Sequence, residues 1–138
     1  MPKSFTLDPV GRVCEVIESW RPRGCKTEKD YEDSLVKKLR KELVKQTITP
    51  QYGSARQRVD IVVHHKVPIE VKKDLKSTAA LQRTIGQLNQ YLKEWEGIIL
   101  VLCGDTSSDL FNELKKYAKS QETFGPLGSR NRVYLYKV

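Results

Sequence analysis

The run VDIVVHHKVPIEVKKDL, residues 59–75, holds three acidic residues in a stretch that otherwise reads as buried strand. Two of them, Asp60 and Glu70, fall inside the apolar runs. A carboxylate in such surroundings costs on the order of several kcal/mol unless something compensates its charge. Side chains alternate across a strand, so Glu70 shares a face with Lys72, opposite Ile69, Val71 and Lys73. On the preceding run Asp60 and Val62 share one face, and Ile61 and Val63 the other. A three-residue connection, His64–Lys66, pairs Val63 with Val67 and therefore Asp60 with Glu70, with Cβ atoms about 4.5–5.5 Å apart. A two-residue connection would put the two carboxylates on opposite faces, so the site hypothesis depends on register.

In the three-residue register two like charges stand opposite one another near the core. Either one carboxyl holds a proton or a cation sits between them. Lys72 is about 6.6 Å along the strand from Glu70 and supplies part of the compensation. A hard divalent ion such as Mg²⁺, with Mn²⁺ as its substitute, fits better, because it takes one or two carboxylates and completes its shell with water and phosphate oxygens. The competing reading is an Asp–Lys–Glu cluster that only holds the hairpin together, since structural ion-pair networks also resemble sites.

These residues need elements to position them. Asp8 is a good N-cap with Pro9 at the first helical position, and Val10, Val13, Cys14, Ile17 and Trp20 recur at helical spacing until RPRG (residues 21–24). A second helix opens on TEKD, a capping-box variant, with Tyr31, Leu35, Leu39 and Leu43 as its apolar stripe. Residues 47–52 read as a strand ended by Gly53, and 58–64 and 67–73 as a β-hairpin. Residues 77–95 form a long amphipathic helix through Leu81, Ile85, Leu88, Leu92 and Trp95. GIILVLCG (97–104) reads as a central strand, 108–119 as a helix through Leu110, Phe111, Leu114 and Tyr117, and 132–138 as a closing strand. A mixed α/β fold follows, with a central sheet flanked by helices, read as one domain: 1–26 an N-terminal helical extension, 27–103 the core, 104–138 a final helix and strand.

Composition narrows the function classes. The chain has 138 residues, a formal net charge of +8 and three cysteines, none in a CxxC pair. Neither a disulfide framework nor a zinc or iron–sulfur site is favoured, and a reducing, intracellular (cytoplasmic) setting is expected. No apolar run approaches the roughly 18–20 residues that span a bilayer, and the N-terminus lacks a signal-peptide apolar region. The positive excess raises attraction to polyanions, nucleic acid above all. His64 and His65 read as a solvated turn rather than a metal site. Nothing resembles a Ser-His-Asp triad, a Walker loop or a GxGxxG, and CGDTSSD (103–109) reads as a strand-to-helix connection.

Asp60 with Glu70-Val71-Lys72 resembles the motif of the PD-(D/E)XK nucleases, the restriction-endonuclease-like superfamily. Val59 stands where the motif name has Pro, at a position without chemistry. The element order from 27 to 103 is similar to that family's αβββαβ core, with the first helix as an addition. Gln87 and Tyr91, in QLNQY, resemble the Q-x-x-x-Y motif of the RecB-like exonuclease branch, in which the pair approaches the metal and the DNA backbone. Gly86 beside Gln87, unfavourable inside a helix by about 1 kcal/mol, suggests that something packs closely there. The family also supplies an acid from its first core helix. Glu32 fits, in line with Val36, Leu39 and Leu43, with Glu28 and Asp33 as rivals.

The resemblance implies a Mg²⁺-dependent deoxyribonuclease with little sequence specificity. Asp60, Glu70 and the main-chain carbonyl of Val71 would be metal ligands. Lys72 would orient the attacking water and stabilise developing charge, since an ammonium among carboxylates resists losing its proton. Glu32 and Gln87 would assist the chemistry. Tyr91, Arg56, Arg58, Lys73 and Lys76 would contact DNA. A structure-selective endonuclease of the Holliday-junction type, which works as a homodimer, and a non-catalytic nucleic-acid-binding module are the alternatives.

Overall fold

A computed structural model of the chain describes residues 8–54, 58–126 and 128–138. Among the described residues four helices and seven strands follow one another as α1 (Pro9–Ser19), α2 (Glu28–Glu42), β1 (Ile48–Tyr52), β2 (Val59–Val63), β3 (Val67–Lys73), α3 (Thr78–Glu94), β4 (Ile98–Cys103), α4 (Ser108–Ser120), β5 (Thr123–Gly125), β6 (Gly128–Arg130) and β7 (Val133–Lys137). The fold is mixed α/β. Its five-stranded sheet has the order β1-β2-β3-β4-β7, antiparallel from β1 through β3 and parallel between β4 and β7, and β5 and β6 form a separate two-stranded ribbon. The chain divides into two compact units, Met1–Ile69 and Glu70–Val138, with the boundary inside β3.

In the first unit the helix starts are chemical. The Asp8 side chain accepts from the Val10 N–H ahead of Pro9, satisfying a donor that the helix itself cannot pair. Thr27 and Asp30 cap each other's N–H groups in the reciprocal arrangement that TEKD predicts. Helix α1 buries Val13, Cys14, Val16 and Ile17 and packs on α2, which lies against β1 and β2. The stripe of α2 is broader than expected, with Leu35, Leu39 and Leu43 buried as read and Val36 and Glu32 added to them. Tyr31 is only half-buried.

The β2–β3 hairpin has the three-residue connection that the site requires, with Val63 paired to Val67, Val62 to Pro68 and Ile61 to Ile69. Its turn closes with the Lys66 N–H donating to the Val63 carbonyl at 3.1 Å. The two central residues, His64 and His65, have φ of 54° and 55°, as a type I′ turn demands. Both are exposed, as the sequence predicts for a solvated turn.

In the second unit every residue of β4 is buried, which matches the continuous apolar run. Helix α3, capped by Ser77, packs against β4 and α4, and α4 packs against β7. Of the four apolar positions expected to bury on α4, only Leu114 does. Phe111 instead lies beneath the ammonium groups of Lys115 and Lys137, 5.0 and 5.5 Å from its ring centre, and Tyr117 donates a hydrogen bond to Asn89. The β5–β6 ribbon was not expected. All six of its strand residues are exposed, so no alternation of apolar and polar residues announces it.

Candidate functional site

Within the first unit, three side chains from three elements gather. Asp60 lies half-buried on β2, and Glu32, 7% exposed, faces inward from α2. The Gln51 amide on β1 donates from Nε2 to Glu32 Oε1 at 2.8 Å. Burial first, and the Asp60 charge second, push the Glu32 carboxyl up from its ordinary value to about 7. Among the three candidate acids of α2, Glu32 is the buried one, and it feels the Asp60 charge. Asp33 is exposed and paired with Lys29 at 2.9 Å, as an ordinary helix-surface i,i+4 pair.

Within the second unit, the Glu70-Val71-Lys72 strand meets helix α3. Glu70 is 3% exposed. Its Oε2 accepts from the Tyr91 hydroxyl at 3.3 Å and lies 3.4 Å from the Lys72 ammonium, whose side chain is 22% exposed. A buried carboxylate needs donors of this kind to keep its charge. Tyr91 was expected to face DNA. It is 3% exposed and its hydroxyl is spent on Glu70, so it orients that carboxylate instead.

The remaining candidates are placed less centrally. Gln87, one turn before Tyr91 on α3, is exposed. Gly86 does not mark a close contact, as a Cβ there would meet nothing within 4 Å. Its conformational penalty is therefore not offset by packing. Lys73 bonds to Asp74, and Lys76 lies 3.1 Å from Asp105. The Lys76–Asp105 pair is exposed, and pairs of that kind contribute little to stability and exchange readily for other anions. Arg58 is exposed, and Arg56 lies outside the described residues.

A tight junction follows the motif strand. Asp74 adopts φ of 55°, its N–H donates to the Cys103 carbonyl at 2.9 Å, and its Oδ1 accepts from the Asp105 N–H at 2.8 Å. The Lys73 ammonium, then that N–H, hold the Asp74 carboxyl below the usual carboxylate range. Gly104 makes this possible. Its φ is 73°, and a Cβ there would lie 2.3 Å from Asp74 Oδ1. The CGDTSSD segment therefore does connect β4 to α4, and it also ties down the end of β3.

Donor chemistry decides which ions these residues suit. Among the described residues no group of three or more His, Cys, Asp or Glu side chains is gathered into a metal-binding set. Asp60 in the first unit and Glu70 in the second each offer hard carboxylate oxygens, the donor type of which Mg²⁺ takes one or two while keeping several waters. No protein family, curated protein or solved structure matches this chain.

Proposed function

We propose that this protein is a divalent-metal-dependent nuclease that hydrolyses DNA phosphodiester bonds with little sequence specificity, on a restriction-endonuclease-like core. The observation that carries this reading is the meeting of Tyr91 and Lys72 on one oxygen of Glu70. Two motifs, Glu-x-Lys and Gln-x-x-x-Tyr, whose Glu70 and Tyr91 stand twenty-one residues apart in the sequence, thereby share one carboxylate. The αβββαβ order from α2 to β4 and the three-residue hairpin register agree with the same reading.

In this reading Asp60, Glu70 and the Val71 carbonyl would hold the ion. When bound, Mg²⁺ supplies charge to polarise the phosphate and acidify a water. The chain's own residues do the rest. Lys72, held against Glu70, points its ammonium at the attacking water and at charge developing on the phosphate. Tyr91 donates to one oxygen of the Glu70 carboxylate and so fixes its orientation. Gln87, exposed on the same helix, and Arg58, Lys73 and Lys76 are the groups left to engage the phosphate backbone.

The test is a panel of linear duplex, single-stranded DNA, a four-way junction and RNA, each with Mg²⁺ or Mn²⁺. Cleavage of DNA is expected, and Asp60→Ala or Lys72→Ala should reduce it at least about a hundredfold while gel-shift binding persists. Binding without cleavage under any divalent ion would instead mark a nucleic-acid-binding module. Symmetric cutting confined to the junction would mark a structure-selective endonuclease.

A further inference from the structure

Strand β1 carries a backbone feature for which a strand has no use. Ile48, Thr49, Pro50 and Tyr52 pair with Val63, Val62, Ile61 and Val59 in one unbroken antiparallel register, with no extra residue on either side. Between the last two pairs stands Gln51, with φ of 52°. A residue with a β-carbon is disfavoured in that region, and glycine is the usual occupant where geometry alone is at stake. The chain itself places glycine two residues later, where Gly53 has φ of 98°. A glutamine kept at a strained strand position implies that its side chain is needed.

What the side chain does is on the page. It reaches from β1 to helix α2, a separation of nineteen residues, and donates to Oε1 of the buried Glu32. Its place in the register is the row of Asp60, between the Pro50–Ile61 and Tyr52–Val59 pairs. The left-handed backbone therefore occurs at the strand residue that links the helix acid to the strand acid. The amide suits that place chemically. It is neutral, so it leaves in place the negative charge that would attract a cation, whereas a lysine or arginine would cancel it. It also engages one oxygen of Glu32 and leaves the other free.

We propose that Gln51 is a positioning residue of the acidic site, holding the Glu32 carboxylate beside Asp60 so that a divalent cation or its bound water meets a preorganised pair of acids. Preorganisation by a neighbouring hydrogen bond is how outer residues tune cation sites generally, and removing such a partner costs about 10- to 100-fold in affinity. The proposal rests on the reading of Asp60 as a cation ligand, and its test separates the two.

The experiment measures Mn²⁺ affinity by calorimetry for the whole chain, with Gln51→Gly made both alone and in a Glu32→Gln background, and with Asp60→Asn as control. Thermal unfolding in EDTA accompanies each variant. Glycine relaxes the φ of 52° but removes a donor from the buried Glu32, two opposed effects, so Gln51→Gly is expected to stay folded and to unfold within a few degrees of the unaltered protein. It should nevertheless bind Mn²⁺ about tenfold more weakly, and this loss should shrink to less than about twofold when Glu32 is already Gln. Equal losses in the two backgrounds would show that Gln51 does not act through Glu32, and an unchanged affinity would show that it does not act at all. Either result overturns the proposal while leaving the cation site in place, provided Asp60→Asn abolishes binding. Mn²⁺ binding that is absent, or indifferent to Asp60→Asn, removes the cation reading and the positioning role with it.

Discussion

Glu32 is the residue at which pH should be felt most. Its carboxyl lies at about 7 in the folded chain against an ordinary value of 4.5, so between those values the folded state binds more protons than the unfolded one. The Glu32 contribution to stability is then fully present below about pH 4.5, is lost as pH rises through that window, and is gone above about 7. The gap corresponds to at most about 3 kcal/mol at 1.36 kcal/mol per pKa unit, and to less once solvent screening is counted. In EDTA, denaturant titrations from pH 4.5 to 8 should show that decline, and Glu32→Gln should flatten it. A Glu32→Gln protein with the same decline would sink the assignment. At Tyr91 the expectation is simpler. Tyr91→Phe removes a donor from a buried carboxylate and should cost about 1–3 kcal/mol of stability, read by urea unfolding. Glu32 was legible in the sequence because it lines up with Val36 and Leu39 on a helix face. Gln51 was not, because neither a left-handed φ at a non-glycine residue nor a hydrogen bond across nineteen residues leaves a local pattern.

At the scale of elements, strong periodicity and explicit capping chemistry were what could be read. Asp8, Thr27 and Ser77 cap the helices that follow them, and Ser107, not singled out in the sequence, caps α4. The β2–β3 hairpin register follows from two alternating runs and a three-residue gap. Where periodicity was absent, so was the forecast: the exposed β5–β6 ribbon carries no apolar row, and Gly86 proved to face open space. Gly104 shows the opposite case, a glycine whose necessity comes from contacts distant in sequence. Gly104→Ala would force a β-carbon onto Asp74 and an unfavourable φ, and should destabilise by at least about 1–3 kcal/mol in thermal unfolding. Because Asp74 directly follows β3, the proposed nuclease reading expects DNA cleavage to fall in this variant even at temperatures where it stays folded.

For the molecule as a whole, the net charge of +8 sets the expectation for partners, and among the described residues no helix is long and apolar enough to cross a membrane. If Arg56, Arg58, Lys73 and Lys76 each neutralise a phosphate, four counterions leave the DNA on binding. Affinity measured by fluorescence anisotropy should then drop about a hundredfold between 50 and 200 mM salt, and Lys73→Ala should lower the slope by about one. A flat salt response would rule these cations out. The division into two compact units had no sequence signal, since no linker or change in composition separates Ile69 from Glu70. That seam lies in the interior of a strand whose first five residues, Val67 to Val71, are all buried. A protease therefore has no purchase on it, whereas the His64–Lys66 tip immediately upstream is exposed and ends in a tryptic site. Limited digestion should accordingly release the carboxy-terminal fragment with β3 whole and Glu70, Lys72 and Tyr91 still on one polypeptide, parted from Asp60 by the cut.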